Sequence, residues 1–475
     1  MTPQKYEMDM CHGPIGIKIL KFVFPLLLTN TLQRCFLLAD LIVIGQFASY
    51  RSLAAVGSVG SVTVLILDLF IGIAIGTNVL AARAYGAGDR RLFTKIVYTT
   101  VVAAWWGGVA LMLLGMAVSV PILRMLDTPG DIMSRALCYL LLTSLGIPAQ
   151  LLCSVGCALL RSVGDTRRPL VILTISGILN AGLNLLLVAV FHLDVAGVAI
   201  ATVVSQCVSV WLLGRLMRDP GEICHLRFHG MKFDWSIFRE TQKIGLPAGL
   251  QGSCFALSNT VIQSAVNSFG SLAIAGSTAA SSVEGFIWVA LAAFHAATVS
   301  FVAQNYGGGH YRRVLSSIRW CSVCCLATGA GLGLLVLLFG PRLLAVFNPD
   351  PGVIEWGMIH FRVICLTCFI GGMLDVIASA LRGLGYSLLP AVGTLFGTCV
   401  FRLWWVWQIF PHWRSLGGLL VSYPISWTLI LIVNLAALIC ICRKLFREAV
   451  RARHVPTAHF HAALRLRMRF RSLQP

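Results

Sequence analysis

Apolar runs of helix length recur along the whole chain, separated by short stretches in which charge, glycine and proline collect. Their approximate spans are 16–45, 52–78, 93–118, 132–157, 169–191, 195–216, 240–266, 272–302, 314–339, 353–379, 389–411 and 416–442. Each reaches about the 20 residues that an α-helix needs to cross the roughly 30 Å hydrocarbon layer of a bilayer. The period-two alternation of barrel strands is absent from these runs, so helices are the spanning structure they predict. The N-terminal stretch MTPQKYEMDMCHGPIGIK is polar and the first apolar run is too long for a signal-peptide core, so the first helix is expected to stay in the protein.

Composition agrees with that pattern. Of 475 residues, 57% are hydrophobic and 12% charged, more apolar side chain than a water-soluble core can hide. All but eight of the 37 Lys and Arg residues fall on the N-terminus, the even-numbered turns or the C-terminal tail. The eight are Arg34, inside the first span, and Arg51, Arg124, Arg135, Arg342, Arg362, Arg402 and Arg414, assigned to the opposite side. By the positive-inside rule both termini are expected in the cytoplasm, here of a bacterial cytoplasmic membrane. Topology alone then accounts for the net charge of +19, and no nucleic-acid motif accompanies it. The tail stretch LRLRMRFR (464–471) reads as a solvated basic segment or as a contact for anionic headgroups. Most of the 16 cysteines lie within the spans, where Cys behaves as a small hydrophobe. No metal or redox role is assigned to them, and no cofactor is expected.

One connector is written twice, as LRSVGDTRRP from Leu160 and LRGLGYSLLP from Leu381. Other landmarks repeat at nearly the same offset of 219 to 222 residues: AYGAG from Ala84 with NYGGG from Asn305, SLAAVGS from Ser52 with SLAIAGS from Ser271, and Pro25, Pro121 and Pro129 with Pro247, Pro341 and Pro349. The shared offset indicates an internal duplication of six helices. Because six is even, both halves enter the membrane from one side, giving a parallel repeat about an axis along the membrane normal. The fold expected is therefore all-α and polytopic, about twelve transmembrane helices in two six-helix bundles. An N-lobe would occupy 1–216, a linker 217–238, a C-lobe 239–442 and a basic tail 443–475. Within the connector, Arg161 and Arg382 suit the negative end of a helix dipole, Gly164 and Gly385 the turn, and Pro169 and Pro390 the next helix's first turn.

Two similar bundles across a cleft suit alternating access around a site near the bilayer midplane. Ionisable groups at that depth are costly, so they mark candidate chemistry. Four acids fall well inside the spans: Asp40, Asp68, Glu284 and Asp375. Asp40 is the leading candidate for a coupling-ion or proton site, because Asn180 and Asn184 share one face of the fifth span and Thr202 adds a hydroxyl from the sixth. The repeat offset pairs Asp40 with Val261 or Ile262, and Asn180 and Asn184 with Phe401 and Trp405, so this polar set was not kept in both halves. Asp68, Glu284 and Asp375 are candidates for lining the substrate cleft. For Asp375 a local ion pair with Arg382 is the bland alternative, for Arg34 a pair with Asp68 or snorkelling, and for His295 a packing role. Pro25 and Pro247 each remove a helical hydrogen bond and are candidate bending points for a gate.

Several segments resemble the multidrug and toxic compound extrusion (MATE) family: LLLTNTLQRCFLLADLIVIGQFASYRSLAAVGS from Leu26, GIAIGTNVLAARAYGAGD from Gly72, LRSVGDTRRP, NAGLNLLLVAVFHLDVAGVAIATVVSQ from Asn180 and VSFVAQNYGGG from Val299. The resemblance covers the chain up to the tail. It implies twelve helices in two lobes and export of organic, often cationic, compounds in exchange for protons or sodium ions. It also implies that Asp40 is the family's first-helix acid and that Asn180 and Thr202 belong to the N-lobe cation site. Asn184 stands where some members carry Asp, which lowers the charge of the site and weighs against sodium more than against protons. Arg34 and Asp68 fall where uncharged polar residues are expected.

Three functions compete. An ion-coupled efflux antiporter fits the acids and amides of the cleft, with a small organic molecule, a proton or sodium ion and the bilayer as its partners. A lipid-linked saccharide flippase of a related two-lobed class would favour a cationic cavity. A membrane-embedded enzyme needs a cluster of His, Asp or Glu at acid-base or ligand spacing, and the sequence offers none. Nothing in the sequence points to oligomerisation, and a monomer is the working expectation.

Overall fold

The computed structural model describes residues 6–125, 128–219, 221–226 and 232–452, so the stretch 464–471 and most of the expected tail lie outside the described residues. The first half comprises α1 (Ile15–Phe47), α2 (Tyr50–Gly86), α3 (Arg90–Met125), α4 (Gly130–Leu145), α5 (Ile147–Ser162), α6 (Arg167–Asn184), which continues as a wide π turn over Leu185–Val190, and α7 (Asp194–Met217). The second half follows with α8 (Trp235–Asn267), α9 (Ser271–Gly307), α10 (Tyr311–Ala345), α11 (Pro351–His360), α12 (Cys368–Gly383), α13 (Leu388–Thr394), α14 (Phe401–Trp404), α15 (Leu416–Leu420) and α16 (Ser422–Ala452). Wide turns at Phe361–Cys365, Leu395–Val400 and Trp405–Ile409 link α11 towards α12, α13 to α14, and extend α14. No strand occurs among the described residues.

The duplication extends to the irregularities. α4 and α5 form one span bent by 45° at Gly146. Pro148 explains the bend, since its ring lacks an N–H and crowds the carbonyl one turn back. At the repeat offset, the second half breaks at Leu366 and Thr367. The wide turn after Asn184 likewise has its counterpart at Trp405–Ile409. Gly88 and Gly309 have φ of 72° and 74°, and the connector glycines Gly164 and Gly385 have 90° and 84°, a region that L side chains rarely adopt.

Among the described residues nine helical segments are long and apolar enough to cross a membrane, ten with the bent α4–α5 pair counted as one span. α8 is set apart by its polar positions, among them Gln251, Ser253, Ser258, Asn259, Thr260 and Gln263. Outward-facing side chains such as Trp106, Leu113, Leu338 and Ile432 are exposed, as expected where the surrounding solvent is hydrocarbon.

Glycine lets the lobes meet backbone to backbone. A Cβ on Gly72 would stand 2.5 Å from the Gly245 carbonyl oxygen and from the Gly249 nitrogen, and one on Gly76 would run into the Thr241 carbonyl oxygen. Nearer the termini, Gly86 meets Gln304 and Gly307 meets Arg83 at least as closely. Such small-residue faces replace side-chain packing by direct helix contact. Arg83 donates to the Gly383 carbonyl at 2.9 Å, and Ser300 donates to Asn78 at 3.1 Å. The N-terminal segment lies over this seam: the Met8 amide donates to Val163 of the N-lobe, and the Met10 amide to the Gln304 side chain of the C-lobe at 2.8 Å. Gln304 in turn donates to Ser162 at 3.2 Å. These contacts close the cleft at the end that carries the N-terminus.

Candidate coupling site and central cleft

Asp40 sits two turns from the end of α1, where Val43, Ile44, Val188 and Val198 form an apolar wall. Asn184 is the last α-helical residue before the wide turn of α6, and it is fully buried. Its Nδ2 donates to Asp40 Oδ1 and lies 3.4 Å from Asn180 Oδ1. Asn180 Nδ2 reaches Thr202 Oγ1 on α7 at 3.5 Å, and the Thr202 hydroxyl donates to the Val198 carbonyl at 2.9 Å. The structure therefore brings all four residues together across three helices. Asn184 Oδ1 is buried without a hydrogen-bond donor. A vacant buried acceptor beside a carboxylate suits a bound cation or a proton carried on Asp40, because an unmet polar atom in a dry site is costly. Tyr139 of α4, which packs on the same apolar wall, lies within reach of the Asp40 charge and was not singled out from sequence.

The cleft candidates are dispersed. Asp68 on α2 abuts Gly252 of α8, and Arg34 on α1 abuts Gly285 of α9. The pair weighed for them does not form: among the described residues neither makes an ion pair, because they face different helices of the opposite lobe. Glu284 instead accepts from Trp288 Nε1 at 2.7 Å and pairs with His360 Nε2 at 2.9 Å, while His360 Nδ1 lies 3.1 Å from the Ser277 hydroxyl. Asp375 does not form its local ion pair with Arg382 either. The Arg382 guanidinium turns to Gln251 Oε1 at 2.6 Å and to His295 Nε2 at 3.2 Å. Pro25 and Pro247 lie within α1 and α8, which run uninterrupted through them. The Thr29 hydroxyl donates to the Pro25 carbonyl at 2.7 Å.

Arg402 corrects the sequence reading most plainly. Counted with the basic residues of the side opposite the cytoplasm, it is instead 1% exposed inside the eleventh span. Its guanidinium donates to Ser426, Ser258 and Asn259 at 3.1 to 3.4 Å and lies 3.9 Å over the Tyr423 ring. His360 was missed as well. Both lie within predicted spans, where a cation or histidine is as informative a signal as an acid.

Comparison with known proteins now bears on this architecture. A family model named MatE matches residues 25–186 and 247–407, one copy in each lobe. The chain belongs to the MatE family. A Bacillus subtilis relative, "Probable multidrug resistance protein YoeA", is 26% identical over 87% of this chain and 91% of its own length. "Probable multidrug resistance protein NorM" of Thermotoga maritima is 26% identical over 81% and 84%. An "FAD transporter" of Shewanella oneidensis is 27% identical over 80% and 84%. A solved structure described as an outward-facing multidrug resistance MATE family transporter superposes with a TM-score of 0.87 at 19% identity, covering 94% of this chain and all of that one. A MOP superfamily transporter from Pyrococcus furiosus gives the same TM-score and identity. As a MatE protein the chain is a multi-pass membrane transporter with the two-lobed fold, and several of its relatives carry the name probable multidrug resistance protein.

Proposed function

We propose that the protein is a proton-coupled antiporter that exports small organic molecules across the cytoplasmic membrane, with both termini in the cytoplasm. The observation that carries the reading is the Asp40 carboxylate held by Asn184, which is linked through Asn180 to Thr202 and carries an unmet buried acceptor. All of its hydrogen-bond partners are neutral, so one proton changes the charge of the whole group by one unit. Sodium would draw on the same oxygens, but with a single carboxylate to balance it. The names of the relatives support an organic substrate of drug or cofactor size.

Given that orientation, the glycine seam closes the cytoplasmic end. Protonation of Asp40 removes the charge that fixes Asn184, which loosens α1 from α6 and favours the state open to the cytoplasm. A ligand shifts such an equilibrium only through its different affinity for the two states. Reconstituted protein subjected to an imposed pH gradient or sodium gradient tests the reading. Uptake of an organic probe driven by the pH gradient alone, and lost in Asp40→Asn, is the expected result. Uptake driven by sodium alone would replace the coupling ion, and uptake surviving in Asp40→Asn would remove Asp40 from the coupling step.

A further inference from the structure

The repeated connector carries two arginines whose side chains the proposed antiport does not use. Arg161 ends α5 in the N-lobe, and Arg382 occupies the equivalent turn of α12 in the C-lobe. Each precedes a residue that bonds across the seam: the Ser162 carbonyl accepts from Gln304 of the C-lobe at 3.2 Å, and the Gly383 carbonyl accepts from Arg83 of the N-lobe at 2.9 Å. Arg382 is 3% exposed, bound to Gln251 of α8 and His295 of α9, with its Nε left without an acceptor. Arg161 makes no hydrogen bond or ion pair among the described residues, and its charge and that of Arg382 both bear on His295. Gln251 adjoins Gly252, which meets Asp68 of the other lobe, and His295 lies between Val289, which meets Asn30, and Ser300, which meets Asn78. Arg161, His295 and Asp375 nevertheless keep partial exposure and Ala292 is exposed, so this part of the seam borders open space at the closed end of the cleft.

A guanidinium in such a place is costly unless an anion answers it. The acid whose charge bears on Arg382 is Asp375, and it makes no ion pair with that residue. Two arginines, one from each lobe and each beside a residue that bonds across the seam, therefore both act on His295, and Asp375 is the acid whose charge bears on Arg382. We propose that Arg161 and Arg382, with Gln251 and His295 as neighbours, form an anion seat at the floor of the cleft that engages a carboxylate or phosphate group of the transported molecule. Guanidinium groups suit such oxyanions because their N–H groups pair with two oxygens at once. Arg382 holds the C-lobe side rigidly, whereas Arg161 is free to move onto the ligand. An anion bridging the two would join the lobes at the point where they must part for the cleft to open to the cytoplasm. Substrate release would then precede that opening.

This inference rests on the transport reading for its biological sense, but its test needs no gradient. Equilibrium binding of 1-naphthyl phosphate and of its neutral counterpart 1-naphthol is measured on the purified full chain in nanodiscs. The parent should prefer the phosphate, and added salt should weaken that preference. Arg161→Gln should lower phosphate affinity at least tenfold and leave naphthol unchanged, with Arg161→Lys restoring part of the loss. Arg382→Gln should act in the same direction. Arg161→Gln breaks no hydrogen bond in the structure, so its result stands even where Arg382→Gln folds poorly. Equal binding of the two probes by the parent, or an equal loss of both in Arg161→Gln, would overturn the seat. Failure of gradient-driven uptake with phosphate binding intact would count against antiport alone.

Discussion

The two lobes share a scaffold, but the Asp40 set of one and the Glu284 and Arg402 sets of the other treat charge in opposite ways. In the N-lobe Asp40 is bonded by Asn184, which is linked through Asn180 to Thr202, and none of these neutral groups can take up its charge. In the C-lobe Glu284 faces His360, and Arg402 is held by two hydroxyls, an amide and the Tyr423 ring. A charge without a compensating partner is where one proton most changes the local energy. A charge enclosed by partners mainly resists rearrangement. On this comparison the N-lobe set acts as the switch and the C-lobe set as an anchor.

The largest effect should come from the switch. Asp40→Asn removes the titrating group while keeping its size and its hydrogen bond with Asn184. Gradient-driven export should fall by about a hundredfold while equilibrium substrate affinity changes by less than about threefold, because coupling depends on a difference between states rather than on binding itself. Parallel transport and binding measurements on one preparation check this. A matched loss of affinity would make Asp40 a substrate ligand and dissolve the contrast.

The anchor should fail differently. Arg402→Leu leaves Ser258, Asn259 and Ser426 without their buried donor, and we expect a loss of about 3 kcal/mol in unfolding stability in detergent. Arg402→Lys should cost about 1 to 2 kcal/mol, since it keeps the charge but loses the planar fork and its contact with Tyr423. The fraction that remains folded should still transport with a normal ion requirement. Altered coupling in folded Arg402→Lys protein would turn the anchor into a second switch.

Much of this was legible from local pattern. Twelve apolar runs announced the helices, and the four-residue spacing of Asn180 and Asn184 placed both amides on the face that meets Asp40. The C-lobe set was not legible in the same way. Arg402 lies well inside an apolar run, 389–411, yet counting charges groups it with the basic residues of the side opposite the cytoplasm. Only the packing of α8 and α16 against α14 turns it inward. The connector arginines show a further limit. Their helix-end position explains why an arginine is tolerated there, but the direction of the Arg382 side chain depends on helices far away in sequence. The bend between α4 and α5 was hidden within one run, 132–157, although Pro148 signalled it.

The Glu284–His360 pair offers a finer probe of the anchor. Glu284→Gln keeps an acceptor for Trp288 but loses the ionic partner of His360. The double-mutant cycle with His360→Gln should return a coupling of about 1 to 2 kcal/mol in stability. Transport by the single variants should stay near that of the parent. A coupling near zero would mean that the two side chains are neighbours without mutual dependence, and would leave Arg402 as the C-lobe's principal anchor.

The smallest expected effect is also the most direct reading of which lobe moves the seam. Cys11 lies in the N-terminal segment over the closed end, buried, with its thiol 3.6 Å from the Gln304 carbonyl. Burial pushes this thiol up to about 11, and the nearby Asp9 charge adds to the shift. The thiolate is the reactive form, so a maleimide at neutral pH should modify Cys11 slowly while the seam is closed, and faster as pH rises towards that value. Opening exposes the thiol and returns it towards its ordinary range, so the labelling rate reports the open population. Asp40→Asn, a mimic of the protonated switch, should raise the Cys11 rate by about threefold, whereas Glu284→Gln should leave it within about the parent's value. Labelling is scored at Cys11 by peptide mass, because the chain holds other accessible cysteines such as Cys35 and Cys207. An equal rise in both variants would mean that either lobe can release the seam, and the division into switch and anchor would give way to a single cooperative unit.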